Sequence, residues 1–485
     1  MATPAHVVEQ AAALRVVCES PPAQASVAAV FGWFALTAVL GFVLLDGSVQ
    51  ALADRLTTPR SVAPPQLPGT SAPADVADAS DDSLTLGVAS VDVGAGGGSG
   101  GPGTASVVNP IFDNPCISGA VPACKRLALD GFATNAKAAR DQKLGRALRI
   151  SFYGDSVVAS DLIPAALRHL VWKEFGNGGP GFVYAVPPHR FCENQSINRS
   201  TSGTWNVHAV STTMVADRWF GPGNSSADCQ DGGLKLSVKD GLAHNVTLHY
   251  VAQPGGGTAS LTTEHGELGV VDTAATTKAA LTKTFTVAEG FSKLGLTAAG
   301  KLRVFGLELE NTTGAVVDNL GVVSVNAKNF ANNQPAHFSS ELAARGADLV
   351  VIMIGANEAQ WLGPGDQDTK EYQSRFATLL APIRSVTPKA SCVVVSPTDQ
   401  AYVVDGSYAS RPVMPLLIAA QRNAAIASGC GFFSTYAWMG GKGSAEQWLK
   451  KGLVGSDFQH LSRKGASKLA AALFQTLVVP TRAQK

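Results

Sequence analysis

The sequence is poor in charged residues, and neither sign dominates. Only 15% of its 485 residues are Asp, Glu, Lys or Arg, and the formal net charge is +1. There is no basic run and no Cys/His spacing of the kind that binds zinc. Bulk electrostatics therefore gives no indication of a nucleic-acid or polyanion partner. We expect no metal and no cofactor.

Long apolar runs are absent except for one near the N-terminus. Residues 27–45 form an uncharged, mostly apolar run of 19 residues, which suffices to span a bilayer. We therefore predict a cytoplasmic tail over 1–26 and a transmembrane anchor over 27–46, with Arg15 weakly favouring an N-terminus inside the cell. The alternative is a cleaved signal peptide, although the run is long for one and starts late.

The next stretch, 47–110, is rich in Pro, Ala, Ser and Gly. It has too little apolar content to pack into a core, and such composition is typical of a flexible linker. We expect this linker to carry the rest of the chain away from the membrane surface.

Cysteine usage points to an oxidising compartment. Cys18 lies before the membrane run and six cysteines follow it, an even number. Six cysteines allow fifteen connectivities, so spacing alone does not determine the pairs. The hypothesis we take forward joins sequence neighbours, namely Cys116 with Cys124, Cys192 with Cys229, and Cys392 with Cys430. The alternative is that several of them are buried thiols.

A serine stands at the end of a buried, strand-like run. Leu148 to Tyr153 is largely apolar and strand-prone, Gly154 permits a sharp turn, and Ser156 follows before a helix-like segment. Hydrolases use a strand-turn-helix of this kind to expose a nucleophile. Taken alone, the tripeptide Gly-Asp-Ser is a weak signal, because an ordinary turn with a capping serine also explains it.

Three later stretches follow in a set order. Gly321 closes a strand-like run, Asn357 ends a second buried run in Gly-Ala-Asn, and Asp457 precedes His460 by three residues. Gly-Asp-Ser, Gly, Gly-x-Asn and Asp-x-x-His in this order resemble the four blocks of the SGNH hydrolase (GDSL esterase) superfamily. The phrases SPTDQ and TYAWMGGKGSAEQW resemble its branch that acts on polysaccharide O-acetyl groups, such as the peptidoglycan O-acetylesterases. The resemblance covers about 111–480.

The residue types in these blocks suit ester chemistry. Ser156 needs a base, for which His460 is the candidate, and Asp457 would fix the histidine tautomer and stabilise the imidazolium. Negative charge that develops on the ester oxygen needs donors, and we predict the N–H of Ser156, the N–H of Gly321 and the side-chain amide of Asn357.

Some assignments near these blocks stay open. Gly179 and Gly181 are alternatives to the predicted oxyanion glycine, or they simply turn the chain. Asp399 could orient a loop near the site, although a structural role is preferred. Glu358 departs from the family pattern, since an aspartate is commoner after the block asparagine.

The sequence pattern changes between 199 and 317, where short runs of alternating apolar and polar residues are separated by Gly and polar turns. This pattern predicts a β-sandwich, inserted into a hydrolase domain whose two parts are 111–198 and 318–485. The resemblance implies the same, because related esterases carry a jelly-roll, carbohydrate-module-like insertion at this place. The aromatic residues that could stack on sugar rings there, or form the sandwich core, are Trp205, Trp219, Phe220 and Tyr250.

From Gly321 onward, apolar strands alternate with helical patterns, which predicts a parallel sheet covered on both faces. The expected fold is thus an α/β, SGNH-type three-layer sandwich with a central parallel sheet. In such sheets ligands bind beyond the carboxyl ends of the strands, where Ser156 and Asn357 both fall.

The predicted function is that of a membrane-tethered serine esterase, which removes O-acyl groups from carbohydrate in the periplasm or at the cell surface. Its expected partners are an O-acylated carbohydrate and, through the single helix, a membrane. Peptidoglycan O-acetyl groups are the leading substrate by resemblance. Alternatives are a polysaccharide O-acetyltransferase with the same triad, a lipase or lysophospholipase, and a non-catalytic carbohydrate-binding protein.

Overall fold

The computed structural model describes residues 111–120, 123–386 and 390–483. The predicted tail, anchor and linker (1–110) lie outside these residues. Among the residues that are described, no helix is long and apolar enough to cross a membrane.

A six-stranded sheet forms the centre of the α/β part. In spatial order its strands are β1 (Phe112–Asp113), β21 (Gly431–Phe433), β18 (Ser391–Val395), β17 (Leu349–Met353), β4 (Leu148–Gly154) and β16 (Ala315–Gly321). All neighbouring strands are parallel except β1, which pairs antiparallel with β21. Strands β17, β18 and β16 are buried along their whole length, because a parallel sheet is covered on both faces.

Helices cover both faces of this sheet. The α-helices of the described residues are α1 (Asp130–Arg140), α2 (Ser156–Ala159), α3 (Leu162–Phe175), α4 (Pro335–Arg345), α5 (Glu358–Trp361), α6 (Asp366–Val386), α7 (Met414–Ala427), α8 (Thr435–Met439), α9 (Ser444–Lys450) and α10 (Arg463–Leu477). Short 3₁₀ turns occur at Asn329–Asn332 and Val479–Arg482.

Successive strand residues supply two separate hydrophobic cores. Tyr153 and Ile352 belong to a core with α4, α6 and α7, whereas Phe152 and Val351 belong to a core with α1, α3 and α10. Side chains of a strand alternate between the two faces of a sheet, so each strand feeds both cores. The predicted α/β fold with a parallel central sheet is confirmed.

Two antiparallel sheets lie between β5 and β16 in sequence. One contains β13 (Ala279–Phe291), β10 (Ala243–Ala252), β15 (Lys301–Glu310), β8 (Ser225–Gln230) and β7 (Trp205–Ala209), with β5 (Gly181–Val183) also paired to β15. The other contains β12 (Gly266–Asp272), β11 (Thr258–Thr263), β14 (Lys293–Ala299), β9 (Gly233–Val238) and β6 (Ile197–Ser202). Both sheets contribute to one core, for example through Leu248 and Leu261, which makes them a sandwich.

The sandwich is joined to the α/β part by chain connectivity, and the segment that precedes it adds a strand to one of its sheets. The predicted insert boundary at 317 falls inside β16, a strand of the central sheet. β5, which precedes the insert, pairs with β15 of the sandwich. Two small hairpins complete the fold: β2 (Cys116–Ala120) with β3 (Ala123–Leu127), and β19 (Ala401–Val404) with β20 (Ser407–Ser410).

A buried charge network joins the sandwich to the central sheet. Arg345, at the end of α4, is fully buried and donates to Asp318 of β16 at 2.7 and 2.8 Å. The same guanidinium lies 2.6 Å from Glu310 and 3.3 Å from Glu308, both on β15. Glu308 in turn lies 2.9 Å from His249 of β10, whose pKa its carboxylate neighbours raise to about 9 against the effect of burial. Central sheet, helix and sandwich therefore share one set of compensated charges.

Two of the three hypothesised disulfides are present. Cys116 bonds to Cys124 and Cys392 bonds to Cys430. The hypothesis for the third pair is wrong, because Cys192 and Cys229 are free, buried thiols. The first lies in the core shared with the central sheet and the second in the sandwich core, so the fold holds them in different layers.

Candidate active site

The turn after β4 presents Ser156 at the start of α2. Gly154 ends the strand, and a Cβ there would lie 2.1 Å from a methyl carbon of Val158 and 2.8 Å from the carbonyl oxygen of Met353, so the close approach requires glycine. Asp155 is 1% exposed and caps the short helix by accepting the N–H of Val157 at 3.0 Å. Burial raises the pKa of Asp155 to about 6. The packing below the turn thus fixes the position of the serine.

Ser156, His460 and Asp457 form one chain of hydrogen bonds. Nε2 of His460 lies 2.8 Å from Oγ of Ser156, and Nδ1 lies 2.7 Å from Oδ2 of Asp457. With the ring proton on Nδ1, the histidine donates to the carboxylate and accepts from the serine hydroxyl. The structure therefore brings together three of the predicted site residues, from opposite ends of the described chain.

The loop that carries the histidine is shaped by Asp457 itself. Its Oδ1 accepts the backbone N–H of Gln459 at 2.9 Å and of His460 at 3.0 Å. Partial burial acts to raise the pKa of Asp457, but its bonds to the histidine and to these N–H groups lower that pKa to about 2. The bond to Asp457 in turn raises the pKa of His460 above the usual 6.5. Phe458, with φ of 56° and 4% exposure, anchors the loop in the core.

Asn357 lies beyond the carboxyl end of β17, as predicted. Its side-chain amide donates to the carbonyl oxygen of Val325 at 2.8 Å, and its second N–H has no acceptor among the described residues. The next residue, Glu358, is 1% exposed and accepts the N–H of Ala327 at 2.8 Å. Burial raises the pKa of Glu358 to about 7. The glutamate that departs from the family pattern thus holds the 325–327 segment beside Asn357.

The predicted oxyanion role of Gly321 is not supported by the geometry. Leu148 donates to the carbonyl of Gly314, and Val322 donates to the carbonyl of Gly154, both at 2.9 Å, so even-numbered residues of this segment face β4. Successive backbone N–H groups of a strand point in opposite directions, and the N–H of Gly321 therefore points away from β4. It donates instead to Oδ1 of Asn319 at 3.1 Å. A glycine is needed at 321 for packing, since a Cβ would lie 2.3 Å from the backbone N of Ala159.

A candidate donor that sequence reasoning missed is the backbone N–H of Ser324, three residues after Gly321. Ser324 is exposed, has a φ of 63°, and its N–H has no hydrogen-bond partner among the described residues. Its neighbour Val325 is the residue that Asn357 contacts. A left-handed serine has no signature in a single sequence, because glycine and asparagine are the residues usually expected there.

The other open assignments have structural roles. A Cβ on Gly179 would lie 2.5 Å from the carbonyl oxygen of Leu309, and one on Gly181 would lie 2.4 Å from Oδ1 of Asp318, so both glycines permit close packing against β15 and β16. Asp399 is fully buried and accepts from Ser410 and from the N–H of Ala445. Asp399 orients the hairpin after β18, which agrees with the structural role preferred for it from the sequence.

None of the four aromatic residues named for sugar stacking is exposed. Phe220 and Tyr250 are buried, and Trp205 packs on the sandwich core. Trp219 stacks on His337 of α4 with ring centroids 4.8 Å apart. The alternative role in the sandwich core therefore holds for Tyr250 and Trp205, whereas Phe220 lies in the core shared with the central sheet and Trp219 is half-buried. Within the described residues there is also no group of three or more His, Cys, Asp or Glu that could hold a metal ion.

Comparison with known proteins rests on structure alone. No family model matches the chain, and no curated protein matches its sequence. The fold resembles that of a peptidoglycan O-acetylesterase with a TM-score of 0.63 and 22% identity, over 73% of this chain and 97% of that one. An acetyl xylan esterase aligns over 34% of this chain and 81% of its own, with 12% identity and a TM-score of 0.27. An acetyl-xylooligosaccharide esterase from Geobacillus aligns over 35% of this chain and 76% of its own, with 20% identity and a TM-score of 0.26.

The first of these comparisons bears on the family resemblance. Its extent, nearly the whole of the O-acetylesterase chain, includes both the α/β part and the sandwich strands that interrupt it. The predicted resemblance to peptidoglycan O-acetylesterases is confirmed at the level of fold.

Proposed function

We propose that this protein is a serine esterase that removes O-acyl groups, foremost O-acetyl groups, from carbohydrate outside the cytoplasm. The observation that carries the proposal is the chain of hydrogen bonds from Ser156 through His460 to Asp457, at 2.8 and 2.7 Å. It supplies what an unactivated hydroxyl lacks, namely a base within hydrogen-bond distance and a carboxylate that orients this base.

The reaction runs in two steps on these residues. Oγ of Ser156 attacks the ester carbonyl carbon while its proton passes to Nε2 of His460. When the tetrahedral intermediate collapses, the bond to the sugar oxygen breaks, and His460 returns the proton to that oxygen. Water then attacks the carbonyl carbon of the acyl-enzyme and gives a proton to Nε2 of His460. When this second intermediate collapses, the bond between the acyl carbon and Oγ breaks, His460 returns the proton to Oγ, and acetate leaves.

Three donors are proposed for the oxyanion: the N–H of Ser156, the side-chain amide of Asn357 and the N–H of Ser324. The first and last have no hydrogen-bond partner among the described residues, and the amide has one N–H to spare. A crystal structure with a phosphonate bound to Ser156 tests this set. Its oxygen should lie about 2.7–3.1 Å from the amide of Asn357 and the N–H of Ser324. An oxygen bonded to the N–H of Gly321 instead would contradict the proposal.

Exposure of the triad favours hydrolysis over acyl transfer. The side chains of His460 and Asp457 are 44% and 52% exposed, so water has access to the base that activates the second step. A transferase with the same triad has to keep water from the acyl-enzyme. Nothing in the exposure of these two side chains favours the transferase alternative.

Two observations support the substrate class and the compartment. The fold likeness to a peptidoglycan O-acetylesterase makes O-acetylated peptidoglycan the leading substrate to test. Disulfides persist in oxidising environments, and the bonds Cys116–Cys124 and Cys392–Cys430 agree with a place outside the cytoplasm. Anchoring through 27–46 remains part of this proposal.

Acetate release by the full-length protein tests the proposal. p-Nitrophenyl acetate and O-acetylated peptidoglycan are the substrates, and an unacetylated glycan acceptor is added in a parallel reaction. Ser156→Ala should lower kcat/KM by on the order of a thousandfold or more. Ser160→Ala is the matched control, because its hydroxyl donates to Val157 within the same turn and does not contact the triad.

The outcomes separate the candidate functions. Acetate release that needs Ser156 supports the esterase. Acetyl groups that move to the acceptor without acetate release would identify a transferase instead. Full activity in Ser156→Ala, or none in the unaltered protein, would remove the proposed function.

A further inference from the structure

Exposed aromatic side chains occur on two elements that contact the loop of the candidate catalytic histidine. Among the described residues, four aromatic side chains are exposed: Phe191, Trp361, Tyr402 and Tyr408. The last three, exposed by 56%, 38% and 46%, lie on α5 and on the β19–β20 hairpin. Burial of aromatic surface is a main source of stability, so exposed aromatic side chains grouped in one place suggest a binding surface.

Trp361 is placed by the same short helix as the oxyanion residue. Asn357 caps α5 with helical backbone angles, and Trp361 is the last residue of that helix. Residues four apart on a helix lie on the same side of it. The indole therefore stands one helical turn from the Asn357 amide.

The β19–β20 hairpin is attached to the loop that carries the catalytic base. The ring of Tyr408 packs edge-on against Phe458, with centroids 4.8 Å apart, and Phe458 lies between Asp457 and His460 in sequence. Gln360 of α5 donates to the side chain of Gln459 at 2.9 Å. Hairpin and helix thus flank the histidine loop, and each is held to it by a side-chain contact.

A small cleft runs between the hairpin and the helix. Its volume is about 150 Å³, and Gln360, Trp361, Tyr402 and Arg411 line it. The Arg411 guanidinium lies over the Tyr402 ring, 5.6 Å from its centroid, which holds this ring in a fixed orientation. Nε of Arg411 is buried and has no hydrogen-bond partner in the described part of the chain. The same guanidinium donates to Gln360 at 3.4 Å, so the cleft combines ring faces with polar side chains that are held by bonds to one another.

We propose that Trp361, Tyr402 and the cleft between them bind the glycan chain that carries the ester, with pyranose faces on the rings and sugar hydroxyls on Arg411 and Gln360. This inference rests on the proposed esterase function and names the surface that recognises its polymer. An acetyl group is small and makes few contacts with a protein, so discrimination between substrates has to come from contacts remote from the reacting ester. Aromatic faces on elements that contact the histidine loop provide such contacts.

The test compares polymer with a small ester in the full-length protein. Trp361→Ala, Tyr402→Ala and the double variant are assayed on O-acetylated peptidoglycan, on acetylated xylan and on p-nitrophenyl acetate. For either single variant, the ratio of polymer kcat/KM to p-nitrophenyl acetate kcat/KM should fall roughly tenfold, since one aromatic contact has an effect of about this size. The double variant should fall further. Leu281→Ala, an exposed apolar side chain on the sandwich, is the control and should leave the ratio unchanged.

The results separate this inference from the function on which it rests. If all three variants hydrolyse p-nitrophenyl acetate and their ratios are unchanged, the proposed glycan-binding surface is wrong, whereas the proposed esterase function is supported. No hydrolysis by the unaltered protein would overturn both. A fall in the activity ratio that is confined to peptidoglycan or to xylan supports the proposed surface and identifies which glycan it binds. Circular dichroism of each variant shows whether a fall comes from the lost ring or from unfolding.

Discussion

The buried guanidinium of Arg345 provides a sharp test of how the sandwich is joined to the α/β part. It is the shared partner of Asp318 on the central sheet and of Glu308 and Glu310 on the sandwich, and it is 1% exposed. Arg345→Met keeps most of the side-chain volume and removes the charge. Asp318, which is fully buried, would then keep only the hydroxyl of Ser151 and one backbone N–H as donors.

The size of the effect follows from the charges left behind. Removing one partner of a buried ion pair costs about 3–5 kcal/mol, because the other charge stays in the interior without compensation. A domain is stable by only about 5–15 kcal/mol in total, so the variant should lose a large part of the free energy of unfolding. Arg149 still contacts Glu310 and His249 still contacts Glu308, which places the loss toward the lower end of this range.

Urea unfolding followed by circular dichroism measures this loss. Arg375→Met is the matched control, since its pair with Glu371 lies on the surface of α6, where an ion pair contributes about 0.3–0.5 kcal/mol. A buried carboxylate without its cation takes up a proton more readily than in the unfolded chain. The deficit of Arg345→Met should therefore shrink as the pH falls from about 8 to about 5.

Two results would refute this reasoning. One is a loss no larger than that of the surface control, which would mean that the charges are not coupled through the guanidinium. The other is a deficit that stays constant across this pH range, which would attribute the loss to packing. Either result would also weaken the interpretation that sandwich and central sheet are held together by shared charges.

Three further predictions concern the site and the cysteines. Burial raises the pKa of Glu358 to about 7, so ionisation of this carboxyl lowers the stability of the fold as the pH rises from 4.5. Glu358→Gln should therefore be more stable than the unaltered protein at about pH 8 but not at about pH 5. Equal urea midpoints of the two proteins at both pH values would contradict this. Because the bond to Asp457 raises the pKa of His460, kcat/KM should rise with pH through a midpoint above 6.5, and the residual activity of Asp457→Asn should show a lower midpoint. Alkylation of the denatured protein without reduction, followed by peptide mapping, should modify Cys192 and Cys229 as free thiols, and a peptide linked through both would contradict the fold.

Much of the α/β part could be predicted from the sequence because its signals are local. The strand before Ser156 is a short apolar run that ends in glycine, and the buried run at Leu349–Met353 ends at Asn357 in the same way. Parallel strands align their carboxyl ends, so two such turns had to meet at one edge of the sheet. The short Asp-x-x-His spacing placed base and carboxylate on one loop, and the geometry of that loop agrees with it.

Other features depend on tertiary context that spacing does not contain. Whether the N–H of Gly321 points toward or away from β4 depends on register, which shifts with a single residue. Cys192 and Cys229 are as near in sequence as the bonded pair Cys392–Cys430, yet they lie in different cores. Only the fold decides which layer receives each side chain.

The same holds for burial of polar and aromatic groups. Trp219 and Trp361 are both tryptophans in polar surroundings of the sequence, but Trp219 is half-buried and stacks on His337, whereas Trp361 is 56% exposed. Glu308 and Glu310 occupy the strand positions of β15 that alternate away from the sandwich core, where a sequence pattern predicts solvent. In the fold those positions face Arg345 instead.

Covalent labelling of the full-length protein with a fluorophosphonate tests the central claim most directly. Mass spectrometry of the labelled protein should show a single adduct on the peptide that contains Ser156. The adduct should form in Ser160→Ala and fail to form in Ser156→Ala, because only Ser156 lies 2.8 Å from the base. A label on another residue, or a protein that hydrolyses esters but is not labelled at Ser156, would contradict the account.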